Sequence, residues 1–462
     1  MGTPRVSAAR RCARFVLGPA LRELPAPVAE QGRLLALDTL GSCLASSRQD
    51  FGAAVSAAAE ALGGPAESTL IGRASRVGAA SAVLANATLA HGLDFDDTRE
   101  DAIVHTGSVA VPTALAVGEA VDASGEAVLA AMVAAVEVMC RVGLAVPGRF
   151  HARHYHPTAL TGSFAAAAAA GRLYGLTEDQ LVHAFGICGS QASGIIEYLA
   201  DGSWTKRLHP GWAAHAGVAA ALLARAGFTG PETVLEGAHG VYQAFAGGVD
   251  LRRLEGLLDT LGREWEIARL TFKPYPCGSI AHPYMDCALR LRERHRIVPG
   301  EIESIHCRTA EGPVPRLWEP LAAKHRPPNG YASKFSLPYL LAAILVRGQA
   351  TLADFTDEAV ADEAALGVAA RVTYEIDPRI DYPRQFIGHV AIRLRDGRVL
   401  EETQDHPRGG PDFPMTPEEL GVKFRGNAAL AISGEQVARV IRAVDGLAGL
   451  PRISALAETL AA

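Results

Sequence analysis

A chain of 462 residues, 49% apolar but only 6% aromatic, is long enough for two cores, or for one large helical core with an insertion. Abundant alanine and glycine point to closely packed helices and exclude a β-sandwich, whose strands favour β-branched and aromatic residues. The net charge of −6, with no basic stripe carrying interleaved aromatics, argues against nucleic acid as a partner, so an anionic ligand needs a locally positive pocket.

Arg5, Arg10, Arg11 and Arg14 precede the first acid, Glu23. An organelle transit peptide has a similar make-up, but the simpler reading is an amphipathic first helix holding Ala8, Ala9, Phe15, Val16 and Leu17. Helical periodicity then recurs over residues 34–45, 77–93, 112–123, 127–146, 157–174, 178–187 and 210–226, with no alternating strand pattern. The stretch 127–146 is interrupted by Glu137 and Arg141, which marks a buried helix and not a membrane span. Near Leu270 the character changes. Pro274 and Pro276 break the chain, 281–296 and 335–347 read as helices, and 301–308, 371–376 and 389–402 as strands. The last strand bends at Asp396-Gly397, a two-residue hairpin signal. At Thr416-Pro417-Glu418-Glu419 helix returns: Thr416 caps, Pro417 suits the first position, and Glu419 completes a capping box. Residues 436–448 continue it. The expected architecture is mainly α: a large all-helical domain of residues 1–268 and 405–462, with a smaller α+β lid domain, 269–404, inserted.

Seven scattered cysteines without Cys-x-x-Cys spacing read as reduced thiols of a cytoplasmic protein. They are too dispersed for an iron–sulfur cluster, and neither a compact zinc signature nor a phosphate-cradling glycine loop occurs, so no cofactor and no metal is expected.

His156-Pro157, His209-Pro210 and His282-Pro283 repeat one pattern, a histidine just before the pre-organised first residue of a helix. Helix starts carry free N–H groups and partial positive charge that favour anions. Cations gather at the same places: Arg149 and Arg153 near His156, Lys206 and Arg207 before His209, and Lys273 before His282. Repulsion and the helix dipole are expected to keep these imidazoles neutral, fit to act as general bases beside a polyanion. One His-Pro pair alone is usually a cap; three with neighbouring cations are harder to dismiss. A fourth segment runs from His91 through Asp94, Asp96 and Asp97 to Thr98. If it is helical, Asp94 and Thr98 share a face. Three readings stand open: a solvated helix end, a metal site of the three aspartates, or Asp94 and Thr98 holding a catalytic lysine or histidine. Beyond it, Ser108 can cap the next helix, with His105 just outside.

The segments HGLDFDDT (91–98), HTGSVAVPTALAVGE (105–119), YHPTALTGSFAAAAAAGRLYGL (155–176), TKRLHPGWAAHAGVAAALLA (205–224), KPYPCGSIAHPYMDCAL (273–289), YASKFSLPY (331–339), PRGGP (407–411) and KFRG (423–426) together resemble the MmgE/PrpD family. That family includes 2-methylcitrate dehydratases, cis-aconitate decarboxylases and an iminodisuccinate epimerase. The resemblance implies a helical domain with an α+β lid, a homodimer, and catalysis without metal or organic cofactor. In the decarboxylase branch the active site matches Asp94, Thr98, His105, His156, Lys206 and His282. Near the place of that branch's lid tyrosine this chain reads Arg316-Leu-Trp318-Glu-Pro320, so the tyrosine has no counterpart there.

The function expected is a lyase of a small di- or tricarboxylate, neither nucleic-acid- nor membrane-bound. Lys206, His209, Arg153 and Lys273 would meet carboxylates. His105 or His156 would move a proton beside a carboxylate, Lys206 or His282 would stabilise the charge that forms, and Asp94 and Thr98 would orient them. Epimerisation of a dicarboxylate, non-catalytic polyanion binding and a metal hydratase built on the aspartates are the alternatives.

Overall fold

The computed structural model describes residues 6–382 and 386–461; Arg5 lies outside them. The chain forms two compact units, Met1–Leu270 with Thr416–Ala462, and Thr271–Met415. It is a mainly α protein with a smaller α+β unit.

Local capping sets many helix starts in the first unit. Ser7 accepts from Arg10 N before helix Ala8–Leu17, and Ser124 from Ala127 N before Gly125–Leu144. Thr177 with Gln180 boxes Glu178–Gln191, and Thr416 with Glu419 boxes Pro417–Ala428. Helices Ala26–Ser47, Ala79–His91, Gly107–Ala120, Gly125–Leu144, Pro157–Leu173 and Thr205–Arg225 form the core. Thr205–Arg225 lies against both Pro157–Leu173 and Ala79–His91, and Pro157–Leu173 against Gly125–Leu144. Small side chains allow this. Ala165 to Ala170 are wholly buried, and a Cβ on Gly217 would stand 2.4 Å from Ser163 O. Gly125–Leu144 is long and apolar enough to cross a membrane, yet it is buried inside this unit with Glu137 paired to Arg141.

Two prolines sit differently from the sequence expectation. Pro112 and Pro210 lie inside Gly107–Ala120 and Thr205–Arg225, each helix starting a turn earlier. Each proline forfeits one i→i−4 bond, a loss that the packing of the whole helix offsets. A two-stranded pair, Ser68–Thr69 with Arg76–Val77, also interrupts the helices. Strands this short leave no alternation to read.

In the second unit, Ile302–Thr309 pairs parallel with Val372–Ile376 and antiparallel with Gly388–Leu394, which pairs with Val399–Gln404. The turn at Asp396-Gly397 is present but longer than two residues: the strands stop at Leu394 and resume at Val399, with Gly397 at φ +90° donating its N–H to Leu394 O. Helices His282–His295 and Leu337–Arg347 bury Met285, Leu291, Leu340 and Ile344 in this unit's own core. The unit ends at Met415 and not at residue 404, because 405–415 is stitched back to it. Phe272 N donates to Gly409 O (3.0 Å), Arg408 Nε meets Asp286 Oδ1 (3.4 Å), and Gly409, at φ +94°, sits where a Cβ would collide with Phe272 O. All seven cysteines are buried and free.

Candidate active site

Helix Ala79–His91 ends at His91, so Asp94 and Thr98 do not share a helical face. The segment after it is an irregular, almost wholly buried loop in which Asp94 adopts φ +57°, a conformation that asparagine and aspartate tolerate better than other non-glycine residues. Three carboxylates here require partners, and each has its own. Asp94 Oδ1 accepts from Lys206 Nζ at 3.0 Å. Asp96 Oδ2 accepts from His91 Nδ1 at 2.8 Å. Asp97 accepts from Thr106 N (3.1 Å), Thr106 Oγ1 (2.7 Å) and Gly107 N (2.8 Å). Asp97 therefore caps helix Gly107–Ala120 from across the loop. Ser108, expected as the cap, instead donates to His105 O. Burial and the neighbouring Asp96 push the Asp97 carboxyl up to about 7, against those donors. The loop is also tied to the C-terminal helix Pro417–Ala428: Lys423 Nζ reaches Asp38 Oδ1 (2.6 Å) and Phe95 O (2.7 Å), and lies 3.9 Å from the Phe95 ring centre. That is the structural content of the KFRG segment.

Four imidazoles meet beside this loop. His105 Nδ1 donates to Asp97 O (2.8 Å) with Thr98 Oγ1 at 3.3 Å, while its backbone N–H donates to Thr158 Oγ1. His156 caps Pro157–Leu173 by position, and its Nδ1 shares a 3.0 Å hydrogen bond with His209 Nδ1. His91 completes the group, its ring centre 4.6 Å from that of His105 and 5.5 Å from that of His156, stacked on the latter. His91 heads the motif HGLDFDDT, yet the sequence reading gave it no role. The structure thus brings together Asp94, Thr98, His105, His156, Lys206 and His209. Lys206, His105 and His209 keep 8%, 8% and 9% exposure, against 3% for His156 and 1% for His91.

His282 and Lys273 belong to the second unit. His282, fully buried, starts its helix, faces the edge of Tyr275 (5.4 Å between centres) and has Nε2 3.3 Å from Cys277 O. Lys273 is 1% exposed. Arg153 is exposed at the end of the short helix Arg149–Ala152, beside Gly247. Trp318 is core, stacked on Tyr374 at 4.7 Å. Anion-attracting helix starts are fewer than expected. The N–H groups at Gly107 serve Asp97, and His209 lies one turn inside its helix.

Electrostatics favour the neutral form of His156 and His209. Burial, then the neighbouring His91, His209, Lys206 and His105, hold His156 well below the usual imidazole range, and burial with His91 and Lys206 lowers His209 to about 4. A folded pKa below the unfolded value of 6.5 means that the unfolded chain binds more protons between these values. Stability is thus present above pH 6.5 and lost as pH falls toward 4. Thermal melts should show His209 contributing on the order of 2 kcal/mol of the loss between roughly pH 7 and pH 5. A His209→Gln variant should lose correspondingly less; equal losses in both proteins would exclude His209 as a source.

Among the described residues, two groups could hold a metal ion: His91, His105 and His156, or His91 with Asp94 and Asp96, with ligand atoms within 4.8 Å of one another in each. The aspartate trio considered from sequence is not among them, since Asp97 is spent on the helix cap.

A helical unit with a buried lysine–aspartate pair beside coupled imidazoles, joined in sequence to an α+β unit, defines the class of protein. The chain belongs to the MmgE/PrpD family: the MmgE/PrpD N-terminal domain matches residues 10–254 and the C-terminal domain residues 275–447. It is 27% identical to a cis-aconitate decarboxylase-like protein of Aspergillus oryzae (92% of this chain, 91% of that one). It is 26% identical to a cis-aconitate decarboxylase of Aspergillus terreus (95% and 92%) and 28% identical to that of Mus musculus (82% and 78%).

Proposed function

We propose that this protein is a cofactor-independent lyase of a small di- or tricarboxylic acid, a decarboxylase of the cis-aconitate type or a dehydratase of the 2-methylcitrate type. The observation that carries the reading is the Lys206–Asp94 pair at 3.0 Å beside the hydrogen-bonded His156–His209 couple. Lys206, oriented by Asp94, supplies fixed positive charge where an enolate-like oxyanion develops. Pre-organised donors of this kind are usually the largest catalytic contribution. His156 or His105, with Nδ1 engaged by His209 or by Asp97 O, offers its other nitrogen for proton transfer. In dehydration the base takes the proton beside the carboxylate while an acid protonates the departing hydroxyl. In decarboxylation the carboxylate leaves as carbon dioxide, its electron pair stays in the carbon skeleton, and a proton from the site ends up on carbon.

A homodimer belongs to the same reading. Trp204, the N-cap of helix Thr205–Arg225, and Leu208 and Trp212 on it are spaced four apart and all exposed, and an exposed apolar stripe of this kind marks an interaction face. Light scattering that returns the mass of a single chain would remove the dimer.

Proton NMR in heavy water on chelator-treated protein tests the lyase. With cis-aconitate, 2-methylcitrate, citrate and iminodisuccinate offered separately, one acid should disappear with a new product, which carries solvent deuterium on carbon after decarboxylation and none after dehydration. Deuterium exchange or inversion without loss of a group would favour an epimerase. Binding without exchange or product would leave a polyanion-binding protein.

A further inference from the structure

We infer that His91, His105 and His156 form a binding site for one divalent transition-metal ion of the zinc or cobalt kind, and that the ion inhibits the site. Each ring offers a nitrogen, and the three lie within 4.8 Å of one another; tetrahedral coordination at zinc–nitrogen lengths needs them about 3.4 Å apart, so binding requires the rings to close on the ion. The independent observation is His91 Nε2. It is buried and has no hydrogen-bond partner among the described residues, in a ring that is 1% exposed. Leaving such a nitrogen unmatched costs about 1–3 kcal/mol, and the fixed Nδ1–Asp96 bond prevents the ring from turning that nitrogen away without breaking the bond.

The Nδ1 of each ring is engaged by a group of the kind that fixes the tautomer of a metal-ligating histidine: the Asp96 carboxylate at His91, the Asp97 carbonyl at His105, with Asp96 Oδ2 also 3.7 Å away, and the His209 ring at His156. Asp94 and Asp96, whose carboxylates also fall within 4.8 Å of a His91 nitrogen, supply negative charge, and the nearby Lys206 is paired with Asp94. Three imidazoles suit zinc, cobalt, nickel or copper, and not the oxygen-seeking magnesium or calcium. Inhibition follows because a lone pair on a metal cannot accept a proton. That half rests on the lyase reading; the binding half does not.

The test is a titration of the full chain, stripped by chelator and desalted, with Co2+. One ion per chain is expected, with visible absorption of imidazole-bound cobalt that Zn2+ displaces. His91→Gln and Asp96→Asn should each weaken binding at least about tenfold, with near-ultraviolet circular dichroism confirming that they fold. The absence of stoichiometric binding in the micromolar range, or variants that bind as the parent does, overturns the site. With a substrate identified, Zn2+ should suppress turnover and EDTA restore it, whereas turnover unchanged in the zinc-loaded protein overturns the inhibition. A chain that turns over none of the acids still reports on the site through its cobalt spectrum, so failure of the lyase reading and failure of the metal site stay distinct.

Discussion

Lys206→Ala is expected to cut turnover by a factor of at least about 100–1000, the range seen when one pre-organised oxyanion donor is removed. The cation stands at the second position of helix Thr205–Arg225 and reaches Asp94 at 3.0 Å. Asp94 is itself fixed in a left-handed loop conformation. The variant also removes the charge facing a buried carboxylate, which costs on the order of 1–3 kcal/mol of stability, so loss of activity alone does not separate chemistry from folding. The pair Lys206→Met with Asp94→Asn does. Two neutral groups replace two charged ones, so stability should return toward the parent value while turnover does not. Melting curves and steady-state rates on the three proteins check this. Turnover of Lys206→Ala within tenfold of the parent would take Lys206 out of the chemistry, and activity returning in the double variant would make its role structural.

Where the sequence carried local physics, it was readable. Thr416-Pro417-Glu419 names a helix start because side chain and backbone satisfy each other within four residues, and that start is where it was expected. The alanine-rich runs read as packed helices because little else buries so many small side chains. What failed was the reading of Pro112 and Pro210 as helix starts. A proline marks a start only if the preceding turn is not helical, and here that turn is helical because of contacts from outside it: Asp97 caps one of the two helices from the preceding loop. The HGLDFDDT segment could not be parsed alone, because Asp94, Asp96 and Asp97 look alike in sequence and differ only in partners up to 112 residues away. The same holds for His91. Nothing nearby separates it from a helix-terminal histidine, and only the fold stacks it on His156. The hydrogen bond between His156 and His209, 53 residues apart, is likewise a product of two helices packing through small residues.

Arg141→Met is expected to destabilise the helical unit by about 3–5 kcal/mol, the cost of stranding one partner of a buried ion pair. For a unit of this size that is a fall of on the order of ten degrees in melting temperature. Arg141 and Glu137 are both wholly buried on helix Gly125–Leu144 and bonded to each other. Arg141 also donates to Leu257 O (3.0 Å) and Glu264 O (2.9 Å), and Glu137 accepts from Ile267 N (3.0 Å). The pair therefore ties a helix that is otherwise apolar beyond Glu126 to the segment 257–267. Burial already raises the Glu137 pKa, with Arg141 the main opposing influence. Without Arg141 it rises further. A carboxyl whose folded pKa is raised loses stability as pH climbs through that value, so the deficit should be larger at higher pH. Adding Glu137→Gln should recover much of it, since an amide oxygen still accepts from Ile267 N and carries no charge. Calorimetry of the single and double variants across pH measures both effects. A single-variant shift of less than two degrees would mean that the pair is dispensable. Gly125–Leu144 packs along Pro157–Leu173, whose N-cap is His156, so the same charged pair that holds this helix in the core supports the wall against which the imidazoles are set.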